Sequence, residues 1–342
     1  MSSLAITRSG VVAPVRIDPT GRNGPTKRQA AGRRWRPAGP RHHVPSSVDG
    51  TLVPQRIVEA VGCCPPGSAA SGWAALSWLA PRWFDGRAPD GSLLPVPVAL
   101  GDKGTARPRD GVLLSEDWLF DDDVIVVDGL PITVPERAVT FAARTAGTDL
   151  AAIQTIDMAA YHDLVDLTGL SGYADRLGGR PGACRLRRAI AGADENSWSP
   201  QESMMRRLWV DDRGSQVLSN APLFDDRGNH LLTLDVFDPS AGVGGEYDGD
   251  GHAAREQRRT DLGRQELAGS LGIEVATMMA GPGERTAFLG RLERAYRRAR
   301  GAVGRGWTLE QPAWWVDTTT VARRRALSAE QADRWLAHRR RV

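Results

Sequence analysis

Lysine is nearly missing from this sequence. Of 44 basic residues only Lys27 and Lys103 are lysines, and the rest are arginines. Beyond residue 103 no site can use a neutral amine as a base, because a guanidinium stays protonated. Cysteine is scarce too: Cys63, Cys64 and Cys184 are too few for a disulfide framework, and neighbouring Cys63 and Cys64 lack metal-ligand spacing. Free thiols in a reducing cytoplasm are expected. No apolar run approaches the ~20 residues a membrane helix needs, and the polar, basic N-terminus lacks the apolar stretch of a secretory signal. A cytoplasmic chain with no membrane partner is therefore expected. Apolar residues make up 41% and charged residues 25% of the 342, which is ordinary for globular proteins, and the length suits two domains.

Charge is distributed unevenly. Residues 1–43 carry nine Lys or Arg against one acid, Asp18, and residues 301–342 carry eight Arg against four acids, so the body between them is acidic. Two readings are open: flexible arms that attract phosphate, or plain solvated tails. Residues 1–48, rich in Gly, Pro and Arg, read as a largely disordered arm or the remnant of a DNA-binding head. Residues 50–195 read as a small α+β domain. It holds helical spacing at Pro54–Val61 and Ser68–Leu79, and β-like runs at Val96–Leu100, Gly111–Leu114 and Val124–Val127. Further helices are expected at Asp149–Tyr161, His162–Leu177 and Ala183–Ile190.

Residues 196–300 form the next unit. Ser199-Pro200-Gln201-Glu202 is a helix start, with Ser as N-cap, Pro at N1 and Glu at N3. Strands follow near Val217–Pro222, Leu231–Phe237 and Val243–Asp248. An Arg-rich helix comes next at about Ala253–Leu271, then a strand at Ile273–Met278 and a basic helix at Arg285–Arg300. The order is α-β-β-β-α-β-α. Residues 301–342 read as a basic tail with a terminal helix at Ser328–Arg341.

Two carboxylates sit on neighbouring strands, Asp235 and, after ten intervening residues, Glu246. A hairpin of that length brings both toward one end of a sheet. Clustered carboxylates repel, so both ionise readily only with a cation or arginine between them. Oxygen ligands of this kind suit Mg²⁺, which takes few carboxylates plus waters and phosphate oxygens; the chemistry that fits is metal-assisted phosphodiester hydrolysis. Asp248, two residues on, shares the face of Glu246, and His252 can move a proton near neutral pH. Each has a plainer reading. Glu202 answers to the capping box, Asp248-Gly249 and Asp250-Gly251 are ordinary turn dipeptides, and His252 alone reads as a surface histidine. Asp235 is harder to dismiss, since it interrupts an apolar strand.

The element order, together with Glu202, Leu234-Asp235, Gly245-Glu246-Tyr247-Asp248-Gly249 and His252, resembles the restriction-endonuclease-like (PD-(D/E)XK) superfamily, nearest to small uncharacterised domains related to the very-short-patch-repair endonuclease. The resemblance covers Ser199–Arg300. It implies a mixed sheet between helices, with Asp235 and Glu246 as ligands of Mg²⁺ or Mn²⁺ and Glu202 completing the site; Asp248, on the same face as Glu246, is expected beside them as a third ligand. It implies DNA as partner; Arg255, Arg258 and Arg259 on the following helix supply positive charge and are expected to contact it. The superfamily places a lysine two residues after the second acid, where this chain has Asp248; His252 is the candidate that stands in for it. Val127 to Arg137 resembles, more weakly, a stretch of abortive-infection-type antitoxin proteins, which would imply a toxin or other protein partner. The expectation is an α/β (α+β) protein with a metal-dependent nuclease-like domain serving defence or repair. The alternative is a non-catalytic DNA-binding regulator of antitoxin type that kept the fold and lost the chemistry.

Overall fold

The computed structural model describes residues 4–101, 104–249, 255–301 and 306–337, with side chains of the helix at 255–270 described from residue 263 on. The chain is a mixed α/β protein. It divides into two compact units, one of residues 1–146 and 172–183, the other of residues 147–171 and 184–342.

The first unit opens with β1 (Val15–Arg16), α1 (Lys27–Ala30), β2 (Trp35–Gly39) and β3 (His42–Pro45), which form a three-stranded antiparallel sheet in the order β1-β3-β2. The helices α2 (Val53–Gly62), α3 (Gly72–Leu79) and α4 (Pro135–Thr145) accompany a mixed sheet in the order β6-β5-β4-β8-β7. Its strands are β4 (Ala69–Ala70), β5 (Val96–Ala99), β6 (Val112–Ser115), β7 (Val124–Val127) and β8 (Leu130–Thr133). The expectation of a disordered arm over residues 1–48 is thus replaced by an ordered sheet for its described part. The physical reason is pairing of polar groups that composition hides. Gln55 exchanges two hydrogen bonds with the Val12 backbone, Arg36 forks onto Glu59, and Arg8 forks onto Asp128 while stacking 3.7 Å from the Trp78 ring centre. Arginines that looked available for phosphate are held by carboxylates instead.

The second unit contains α5 (Asp149–Tyr161), the first half of α6 (Leu167–Arg176) and most of α7 (Ala183–Gly192), so the boundary expected near residue 195 lies elsewhere. Its body is α8 (Pro200–Arg213), β9 (Leu218–Phe224), β10 (His230–Asp238), β11 (Val243–Asp248), α9 (Arg255–Ser270), β12 (Glu274–Met279) and α10 (Glu284–Ala299). The α-β-β-β-α-β-α order is the expected one. Ser199 caps α8 by accepting the Glu202 N–H, and Gly214 ends it in the left-handed region at φ 65°. The sheet order is β12-β11-β10-β9, antiparallel except for the parallel pair β11/β12, whose connection is α9.

Two apolar clusters sandwich this sheet. On one face Met205 and Trp209 of α8 and Phe288 and Leu292 of α10 pack on Val236, Val243 and Met278. On the other, Ala268 of α9 packs on Leu232, Leu234 and Phe237.

Residues 306–337 are no tail. Thr308 exchanges two backbone hydrogen bonds with Phe224 at the outer strand β9, Trp307 lies edge-on to Phe237, and two short helices follow, α11 (Val321–Arg325) and α12 (Ala329–Trp335). Arg323, Arg324 and Arg325 pair with Asp317, Asp163 and Asp166. The helix expected over Ser328–Arg341 is capped by Ser328 as foreseen but ends at Trp335, with Leu336 as its C-cap; residues 338–341 lie outside the described residues.

One buried ion pair seats α8. Asp157 of α5 is fully buried, accepts from Arg206 at 2.8 Å and from the Asp194 N–H, and burial pushes its carboxyl upward against the pull of Arg206. Removing one partner strands the other charge in the core. Arg206→Ala is expected to lower the free energy of unfolding by about 3–5 kcal/mol in urea titrations.

Candidate functional site

The centre of the site is a fault in the sheet. Regular alternation would put Leu234 and Val236 on one face, yet Leu234 belongs to the α9-side cluster and Val236 to the α8/α10-side cluster. The rung between Leu234–Ala221 and Val236–Ser219 holds Asp235 and Asn220. Asn220 has φ 48°, a left-handed backbone that asparagine tolerates better than most residues. On the other side of β10 the ladder with β11 is registered only from Val236–Gly245 to Asp238–Val243. One step beyond stand Asp235 and Glu246. There the Tyr247 N–H is taken at 2.8 Å by the Asp235 carboxylate. The strands part at the site, and a carboxylate fills the gap.

Each acid has its own setting. Glu202, buried at the start of α8, accepts from the Trp198 N–H at 2.9 Å and from Asn220 Nδ2 at 2.7 Å. The capping-box reading therefore fits only in part: Ser199 bonds the Glu202 N–H, but the Glu202 side chain reaches past the cap to Trp198 and β9. Glu246 pairs with Arg264 of α9 at 2.6 Å, and the same guanidinium nitrogen donates to the Thr233 carbonyl. Asp235 is pushed up to about 8. Burial is the main cause, the charges of Glu202 and Glu246 add to it, and the Tyr247 hydrogen bond and Arg264 oppose it. Asp238, the other acid of β10, accepts from Ser240 and the Ala241 N–H in the turn to β11 and from the Tyr296 hydroxyl of α10 at 2.6 Å, so the turn and α10 account for it.

Asp235, Glu202 and Glu246 are thus brought into electrostatic contact. The three-ligand set expected from Asp235, Glu246 and Asp248 is not gathered: among the described residues no three His, Cys, Asp or Glu side chains are grouped closely enough to hold an ion. Geometry gives the reason. Glu246 is drawn to Arg264 and Asp235 to the Tyr247 amide, while Asp248 lies at the exposed end of β11 beside Met279. The oxygen pair that remains, Asp235 with Glu246, still meets what Mg²⁺ asks of a protein, one or two carboxylates with water and phosphate filling the rest. His252 lies outside the described residues, as do the side chains of Arg255, Arg258 and Arg259.

Four contributors escaped the sequence reading: Asn196, Asn220, His230 and Arg264. Asn196 donates to the Ser219 carbonyl, and Asn220 donates back to the Asn196 carbonyl at 2.7 Å, tying the α7–α8 connection to β9. The signal was present in Leu218-Ser219-Asn220-Ala221, where an amide interrupts the strand opposite Asp235. The chain matches no protein-family model, no curated protein and no solved structure.

A carboxyl raised from 3.8 to about 8 stabilises the fold least where it must ionise. Its contribution is intact below the unfolded value and is lost as pH rises through the folded one. In chelator-treated protein, Asp235→Asn keeps an acceptor for the Tyr247 N–H and removes that loss. The variant is expected to match the parent near pH 4 and to exceed it by about 2–4 kcal/mol at pH 8. Melting temperatures across pH 4–8 check this.

Proposed function

We propose that this protein is a cytoplasmic nucleic-acid-binding protein whose second unit hydrolyses DNA phosphodiesters with Mg²⁺ or Mn²⁺, in defence or repair. One observation carries the reading: Asp235 lies at the parting of β10 and β11 among Glu202 and Glu246, with Arg264 the cation that opposes its raised pKa. A buried acid cluster short of positive charge is stabilised by a divalent cation, and Asp235 and Glu246 are the residues that would hold it. A bound divalent ion supplies an activated water and neutralises charge on the leaving oxygen. The chain's own part is to hold the carboxylates in place: Tyr247 N–H orients Asp235, Arg264 orients Glu246, and Asn220 with Trp198 orients Glu202.

No helix among the described residues is long and apolar enough to cross a membrane, and Cys63, Cys64 and Cys184 are unpaired, which supports a reducing compartment.

A second reading is favoured by specific observations. Glu246 is already neutralised by Arg264, no three acids converge among the described residues, and no lysine follows Lys103. These suit a DNA-binding regulator of antitoxin type with the fold but not the chemistry, its partner being a toxin or another protein.

Plasmid and single-stranded DNA incubated with the protein and Mg²⁺ or Mn²⁺ separate the two. The first reading expects cleavage that falls roughly 100-fold or more in Asp235→Asn and in Glu246→Gln. DNA binding without cleavage, equal in parent and Asp235→Asn, would establish the second.

A further inference from the structure

Beside the acidic cluster, and sharing Arg264 and Asn220 with it, lies a cavity of about 340 Å³ within the second unit. That volume falls in the range of sites for small organic ligands, roughly 300–1,000 Å³. Its walls are unusually flat. Trp198, Trp315, Trp335 and His230 line it, and His230 stacks on Trp315 at 5.1 Å with 20° between the planes. Trp315 and Trp335 meet edge to face at 5.0 Å, so the aromatic wall is braced. His230 is held by a contact of Nε2 with Thr233 Oγ1 at 3.0 Å, and burial with the nearby Arg264 pushes its pKa down, toward the neutral ring.

One buried polar atom of a lining residue is unspent. Asn220 is 3% exposed, and both hydrogens of its Nδ2 are used, on the Asn196 carbonyl and on Glu202. Its Oδ1 has no hydrogen-bond partner among the described residues. An unsatisfied buried acceptor costs free energy unless something donates to it. The left-handed backbone at Asn220 is a further cost, so a strained residue is kept here with half its amide unused.

We propose that this cavity binds a nucleobase, with the ring stacked against the tryptophans and a ring N–H or exocyclic amine donating to Asn220 Oδ1. The occupant fits each observation. A base is flat and aromatic, it carries edge donors, and its attached phosphate would lie toward Arg264 and the acidic pair. Stacking on tryptophan tolerates any base, whereas the single acceptor selects the edges that can donate. The proposal rests on the nucleic-acid reading of the same unit and assigns it a recognition element apart from the carboxylates.

The test uses the full chain in EDTA, so that cleavage and binding are separated. Binding of a short single-stranded DNA is compared with that of an oligonucleotide of equal length whose central nucleotides are abasic. Tighter binding of the base-containing strand by about tenfold is expected, with the difference lost in Trp315→Ala and Trp335→Ala. Equal binding of the two strands overturns the proposal. A 2-aminopurine at the central position should change its fluorescence on binding to the parent, and an unchanged signal overturns the proposal even where a tryptophan variant fails to fold. dAMP in a parallel titration identifies the source: affinity equal to that of the strand assigns the pocket to free nucleotides, and much weaker affinity assigns it to a base within a strand. Base-dependent binding without cleavage under Mg²⁺ would leave the pocket standing and the nuclease reading fallen, and cleavage without base dependence the reverse.

Discussion

The second unit turns on one rung of its sheet, the one that holds Asn220 and Asp235. At that rung the side-chain alternation of β10 slips, the backbone of β9 enters the left-handed region, and the β10/β11 ladder gives way to a carboxylate. None of these is favourable locally. What compensates is the network around them. Asn196 and Asn220 bond each other's backbone surroundings, Glu202 closes the link to α8, and Arg206 with Asp157 fixes α8 from its other side. Charge and strain are concentrated at this rung, and packing elsewhere holds the concentration in place.

The glycines of β11 belong to the same arrangement. A Cβ at Gly245 would stand 2.7 Å from the Trp209 ring, and one at Gly244 would stand 2.8 Å from the Leu234 side chain. Both positions therefore admit α8 and the β10 core residues close to the strand that presents Glu246. The site's acid reaches its place because its two predecessors have no side chains.

Much of the second unit was legible in its sequence. Ser199 with Pro200 marked the start of α8, and the bounds of β11 were read to the residue. These are local signals, carried by caps, turns and short apolar runs. The ends of the chain were not legible for the converse reason. Arg8, Arg36, Arg324 and Arg325 look like free positive charge until the acids that pair with them arrive from far along the chain, Asp128, Glu59, Asp163 and Asp166. The same limit applied at the site. Asp235 and Glu246 could be matched by spacing, but the roles of Arg264 and Asn220 depend on a helix and a strand meeting them in space. The expected third ligand, Asp248, obeyed the period of a strand and still ended at its exposed tip.

The aromatic segment that lines the cavity also sits on the outer strand of the sheet. Phe224 of β9 exchanges backbone bonds with Thr308 and packs against Trp314 and Trp315, while the Trp314 Nε1–H reaches the Gly228 carbonyl of the β9–β10 turn. An uncovered strand edge is a template on which other chains can add. The residues that give the cavity its walls thus double as a guard against intermolecular sheet extension. Trp315 belongs to both the cavity wall and the cover of the strand edge, so a change at this one residue alters both.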